Sequence, residues 1–375
     1  MIKIGHLGSY DRNIGDNIAL LNIRNEFEKQ LKSITWKSFD IGRFHDQKNN
    51  PNWIINKIND TKLDALLVGG GGLVEFENYE DMRTYYKLPF NKNILKELNV
   101  PVFFAGVGIN IFRGLEGYTE LAKKAFEETI CHSKHFSLRN DGSINKLKKM
   151  DLYSDKVMEI PDPGLIFDYQ KDDIVNTKDI KNTYFQPAFN GSEEINDKRG
   201  LNDESMKLLG NLCIQKNLKI IPHTSKDFKY KKSYLPDDNY IFGYDDMTPV
   251  LVNSEAEKIV KFENTKKSVD TYLNYDFGIS MRGHGQLISI GLNIPNIYLS
   301  TQDKVRDFSM LNGFEDYDVD INESDWYRKL KEKYNRMMND EEYLKNWYVI
   351  RNKGMSKWRK QILDFTKKCM GELNA

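Results

Sequence analysis

Cysteine is scarce in this chain, and its few copies stand far apart. Cys131, Cys213 and Cys369 are spread through 375 residues with no Cys-x-x-Cys pair. That excludes a zinc ribbon or a dithiol centre, and a sparse, odd set suits a reducing cytoplasm. Net charge is also missing, since 55 Lys+Arg balance 55 Asp+Glu. Nucleic-acid binders carry a basic footprint, so no nucleic-acid partner is expected, and an anionic ligand must be met by a few placed cations. No run of about 20 apolar residues occurs, so nothing is expected to span a membrane. The opening MIKIGHLGSY reaches a polar turn too early for a secretory signal.

Several common site motifs are absent. Gly69 and Gly71 are followed by Val74, and Gly106 and Gly108 by Ile111, so neither pair completes a dinucleotide fingerprint. There is no phosphate loop ending in Gly-Lys-Ser/Thr and no His-Glu-x-x-His. The segment GISMR lacks the second glycine of a nucleophile elbow. No cluster of metal-ligand residues is visible, so no metal is expected.

What remains is an alternation. A hydrophobic share of 39% supports two cores, and domains of roughly 100–200 residues make two the natural division. Strands are expected at Ile2–Leu7, Ala65–Val68, Val102–Ala105, Phe136–Leu138 and Val157–Ile160, with helices at Ile18–Leu31 and Leu121–Ile130 between them. Pro161, Pro163 and the polar stretch KDDIVNTKD mark a boundary. The rhythm then restarts, with strands expected at Tyr184–Ala188, Leu218–Ile221, Tyr240–Phe242, Ile259–Phe262, Phe277–Met281 and Asn296–Leu299. Helices are expected at Glu204–Gln215, Lys266–Leu273 and Leu287–Leu292. The pattern predicts two doubly wound, Rossmann-like α/β domains, residues 1–168 and 176–325, facing a cleft. A helical tail, 326–375, has Gly354 as its interior breaker and is expected to pack back on the first domain.

Ligands of such sheets bind at the carboxyl ends of the strands, where this chain places its glycines. In MRGHGQ, Arg282, Gly283, His284 and Gly285 form the turn between a strand and a helix expected to start near Gln286 or Leu287. A helix N-terminus attracts anions, Arg282 brings a fork of donors for phosphate or carboxylate, and His284 can move protons near neutral pH. Arg139 follows another strand, with Asp141 placed to cap the next helix. Asn13 and Asp16 flank Gly15 at the first helix; Asp16 can act as a base, although capping is its more frequent role there. The run Gly69–Gly72, including Gly70 and Gly71, reads as a loop able to hold an anion on its N–H groups. His223 follows a strand of the second domain and is a candidate to face the cleft. Between Glu341 and Ala375, eight Lys/Arg against four Asp/Glu are interleaved with Trp347, Tyr348 and Trp358. Such a helix can rest on the inner face of an anionic membrane; packing within the fold is the simpler account.

These pieces, taken together, resemble the polysaccharide pyruvyl transferase family. The matching segments are N-x-G-D-N at Asn13–Asn17, GGGGL at Gly69–Leu73, GVGIN at Gly106–Asn110 and SLRNDGS at Ser137–Ser143. DPGL at Asp162–Leu165 and MRGHGQLISIGLNIP at Met281–Pro295 complete the series in the family's order. The resemblance implies a GT-B-like pair of domains and transfer of pyruvate from phosphoenolpyruvate onto two hydroxyls of a sugar in a polysaccharide or its precursor, lipid-linked or not. It implies no cofactor beyond that donor. It assigns donor binding to Arg282, His284 and Arg139, while Gly283 and Asn140 stand where the family usually has leucine and aspartate. On chemical grounds His284 is the expected acid and Asp16 the candidate base. Gly283, Gly285 and His223 complete the expected donor side, and Asn13, Asp16, Gly70 and Gly71 the acceptor side. The competing readings are a nucleotide-sugar glycosyltransferase of the same architecture and a non-catalytic glycan-assembly protein.

Overall fold

In the computed structural model the described residues are 2–10, 13–31, 33–42, 50–76, 86–110, 118–190, 192–228, 234–236, 239–241, 250–253, 258–261 and 263–373. The first half opens with β1 (Ile2–Gly8), α1 (Ile14–Gln30), β2 (Ile34–Asp40), α2 (Pro51–Asp60), β3 (Ala65–Glu75) and α3 (Lys92–Glu97). It continues with β4 (Val102–Asn110), α4 (Glu120–His132), β5 (His135–Arg139), α5 (Ser143–Lys149) and β6 (Val157–Ile160). The six strands form one parallel sheet in the order β2-β1-β3-β4-β5-β6. Both faces are buried, as a parallel sheet requires. Leu67 and Phe103 point into one core, and their neighbours Leu66, Val68 and Phe104 into another.

The second half carries β7 (Thr183–Gln186), α6 (Glu193–Lys198), α7 (Asp203–Gln215), β8 (Lys219–Ile220), β9 (Val250–Asn253), β10 (Lys258–Lys261) and α8 (Glu263–Asp270). Then come β11 (Phe277–Ser280), α9 (Gly283–Gly291), β12 (Asn296–Ser300), α10 (Asp303–Leu311) and β13 (Asp318–Asp320). Its main sheet is parallel, in the order β13-β12-β11-β7-β8. Two expected strands differ. Tyr240 makes a single bridge to Ile220, with Phe242 outside the described residues. The segment expected at Ile259–Phe262 is β10, which pairs antiparallel with β9 in a separate ribbon; Phe262 lies outside the described residues. The fifth strand of the sheet is instead the short β13, whose alternating aspartates hide its periodicity.

The tail is two helices, α11 (Trp326–Asn339) and α12 (Glu341–Leu373), broken at Asp340 and not at Gly354. Asp340 accepts from the Tyr343 N–H at 3.0 Å, an N-cap. Gly354 sits inside α12 because a β-carbon there would stand 2.5 Å from the Trp358 ring; it is a packing notch. Trp347, Tyr348 and Trp358 are buried, so these aromatics are not displayed for a membrane surface. Helix α12 touches both halves: Trp347 Nε1 donates to the Tyr298 hydroxyl at 3.3 Å, and Gln361 to the Glu159 carbonyl at 3.2 Å. Among the described residues no helix is long and apolar enough to cross a membrane.

Candidate active site

Chain order reverses between β1 and β3 in the first sheet and between β7 and β11 in the second. Doubly wound sheets open a crevice at such points. Here the helices that follow β1 and β11 meet across the cleft.

Helix α1 begins at Ile14, four residues before the expected start, because Asn13 caps it by accepting the Gly15 N–H at 3.1 Å. Capping therefore falls to Asn13, and Asp16 is left in the first turn, where it accepts from Asn13 Nδ2 at 2.8 Å. Helix α9 likewise begins at Gly283, with Arg282 as its N-cap residue. Arg282–Gly285 is thus a cap and first turn, not a connecting loop. Glycines lower helix propensity and so mislead about this boundary. Gly285 is required for packing, since a β-carbon would collide with the Gln186 side chain, whose Oε1 accepts the Arg282 N–H at 3.0 Å.

His284 stands between carboxylates of the first half. Its Nδ1 lies 3.5 Å from Asp16 Oδ1 and its Nε2 3.4 Å from Asp162 Oδ2. These are ion-pair separations, longer than a good hydrogen bond. Asp162 is buried, which would raise its pKa. His284 and Arg139 outweigh that and hold its carboxyl well below the usual range. The Gly164 N–H also donates to it at 2.8 Å.

Arg139, expected to bind the donor, is held in two ion pairs. Its Nη1 pairs with Asp162 and its Nη2 with Asp141, both at 2.7 Å, and its side chain is 4% exposed. Burial disfavours its charge, and the two carboxylates more than restore it. Asp141 therefore does not cap α5, whose cap residue is Gly142; it holds Arg139 and accepts from the Ser143 hydroxyl. Asp162 is not visible as a partner in sequence, because it belongs to the neighbouring strand's end.

Arg282 is also anchored. Its Nη2 reaches Asp227 Oδ1 at 2.6 Å, and the Phe189 carbonyl and Thr224 hydroxyl each at 3.1 Å. Its side chain keeps 18% exposure, against none for Asp227, so part of the guanidinium reaches the pocket. His223 does not face the cleft. Its ring is fully buried against the Tyr272 hydroxyl, and burial, then Arg282 and His284, push its pKa well down, which keeps it neutral. The tetraglycine is not a loop: it lies inside β3, with Gly70 at φ +81° and Gly71 at φ +140°. A β-carbon would strike Leu20 at 2.5 Å from Gly70 and Asp16 at 2.7 Å from Gly71. These glycines let α1 sit on the sheet.

The resulting pocket is lined by Asn13, Arg139, Asp141, Asp162, Arg282, Gly283, His284, Gln286, Leu287, Gln302, Lys304 and Phe308. At Gly283 a β-carbon would meet only open space. Sequence reading missed Asp162, Asp227, Gln186 and Lys304 as site residues. Asp162 carries a signal, an aspartate between prolines just past a strand and the first residue of the DPGL segment, although that segment alone assigns it no role. Among the described residues no group of three or more His, Cys, Asp and Glu could hold a metal.

Facing parallel sheets with a cleft between their switch points define a GT-B-like protein, and solved structures agree at the level of fold. S. aureus MnaA, in a co-structure with UDP, superposes with TM-score 0.51 at 12% identity, covering 92% of this chain and 90% of that one. A ugt transferase from Siraitia grosvenorii in complex with UDP gives TM-score 0.50 at 10% identity, covering 100% of both chains. No curated relative matches by sequence. Residues 13–303 match the polysaccharide pyruvyl transferase family, and the chain belongs to it. It is accordingly a transferase.

Proposed function

We propose that the chain transfers the pyruvyl group of phosphoenolpyruvate to two hydroxyls of one sugar, forming a cyclic ketal on a polysaccharide or its precursor. The observation that carries this reading is His284 poised between Asp16 and Asp162 in a pocket shared with Arg282. In its imidazolium form such a side chain can give a proton to the donor's methylene carbon. Protonation leaves a cationic carbon bearing the phosphate. One sugar hydroxyl adds to it and loses its proton to Asp16. Phosphate then departs, and the second hydroxyl closes the ring, giving its proton to His284, which restores the acid. Arg282 holds the donor's anionic groups and stabilises the departing phosphate. Arg139 acts indirectly, by fixing the Asp162 carboxylate against His284. The donor is substrate; the scheme uses no further cofactor.

UDP in the two fold neighbours supports a nucleotide-linked sugar as one acceptor to be tried, and a nucleotide-sugar glycosyltransferase as the rival activity. The acceptor is reached from a cytoplasmic pool or from the membrane's inner face. Phosphate release should be measured from phosphoenolpyruvate with a panel of free, UDP-linked and lipid-linked sugars. Release that requires both donor and sugar, and disappears in His284→Ala, supports the reading. UDP release from a nucleotide sugar without phosphoenolpyruvate would replace it with the glycosyltransferase.

A further inference from the structure

Lys304 occupies the second position of α10 and lines the same pocket as Arg282 and His284. It lies one residue beyond the segment matched to the family. We infer that Lys304 is the cation that receives the donor's phosphate, in the place first expected for Arg139. The inference rests on phosphoenolpyruvate being the donor.

The reasoning is charge by charge. Phosphoenolpyruvate carries a carboxylate and a phosphate, about three negative charges when fully ionised. Arg139 faces two carboxylates and is almost sealed from solvent, so its charge is already matched. Arg282 is matched in part by the buried Asp227. Two such arginines cannot offset the donor, and a further cation in the pocket is needed. An ammonium suits a phosphate because it is a compact charge with three donors that need no planar partner. The first turn of α10 adds the favourable end of a helix dipole.

The surroundings of Lys304 agree. Arg139 and Asp141 from the end of β5, Asp16 of α1 and Arg199 after α6 all bear on it, with Arg282 and His284 around the same pocket. Burial and then Arg139 lower its pKa to about 8, against the pull of Asp16 and Asp141. A lysine poised in this way is readily recharged by an incoming anion. Donor binding above pH 8 then takes up a proton, and affinity falls as pH rises, by up to about tenfold per pH unit.

Calorimetric titration of phosphoenolpyruvate and of UDP into wild type, Lys304→Gln and Lys304→Arg between pH 7.5 and 9.5 tests this, since the donor is fully ionised throughout. The expected result is at least a tenfold rise in the phosphoenolpyruvate Kd for Lys304→Gln. Lys304→Arg should stay within a few fold of wild type at pH 7.5 and lose the decline at high pH. Measurable wild-type binding left unchanged by Lys304→Gln overturns the assignment while leaving the pyruvyl donor in place. Wild type that binds UDP and not phosphoenolpyruvate overturns both. If Lys304→Gln does not fold, parallel pH profiles for wild type and Lys304→Arg overturn the assignment alone.

Discussion

Gly15 and His284 are packed so closely across the cleft that a β-carbon on Gly15 would overlap the histidine side chain. The two residues come from helices of opposite halves, so the proposed acid is positioned by the first half's helix as much as by its own. Gly15→Ala separates this effect from stability. Alanine should favour α1 by about 0.5–1 kcal/mol, yet the clash must push His284 aside. A displacement of about 1 Å can cost roughly a hundredfold in rate. Phosphate release should therefore drop by one to two orders of magnitude while the Tm moves by only a few degrees. Full activity in Gly15→Ala would mean that the cleft opens freely and that this contact does not place the histidine.

Asp162 joins the two halves electrostatically, through Arg139 and His284. Removing its charge in Asp162→Asn leaves a buried guanidinium short of a partner, which costs about 3–5 kcal/mol when such a pair is broken. The pH dependence has a definite sign. A carboxyl held below its unfolded value of about 3.9 contributes stability above that pH and loses it as pH falls further. Wild type should thus lose stability more steeply than Asp162→Asn below about pH 4. Urea midpoints measured between pH 3 and 7 test it, and parallel curves would contradict the depressed carboxyl.

Much of this architecture is legible in sequence, for a physical reason. Strands buried on both faces appear as short apolar runs, and glycines gather at their ends where backbones approach closely. Helix starts at the cleft are less legible, because Gly15, Gly283 and Gly285 look like breakers while serving as contact points. The pairing of Arg139 with Asp162 is legible in neither pattern nor spacing, since it depends on β5 and β6 being neighbours. The tetraglycine misleads in the opposite way. Its missing side chains suggest a loop, when they make room for Leu20 and Asp16 against β3, which stays a strand through two glycines at positive φ.

Arg282 spends one nitrogen on a carboxylate, a carbonyl and a hydroxyl, and its planar fork carries further donors for an anion that the single nitrogen of an ammonium lacks. Arg282→Lys should raise the KM for phosphoenolpyruvate about tenfold or more. Asp227 keeps its bonds from the Phe189, His223 and Thr224 N–H groups, so the fold should survive. Steady-state phosphate release with donor varied checks this, and an unchanged KM would remove Arg282 from the donor site.

The tail reaches the pocket through a pair of rings. Trp358 of α12 lies 5.9 Å, centroid to centroid, from Phe308, which lines the site on α10 together with Lys304. Trp358→Ala removes a nearly fully buried side chain and should destabilise the fold by about 3–5 kcal/mol. It should also loosen α10, so donor affinity falls even under conditions where the variant is fully folded. Denaturation curves give the first quantity, and calorimetry with phosphoenolpyruvate at low temperature gives the second. Trp358→Phe keeps most of the packing and should recover both. A destabilised Trp358→Ala that binds donor as tightly as wild type would show that the tail braces the fold without shaping the site.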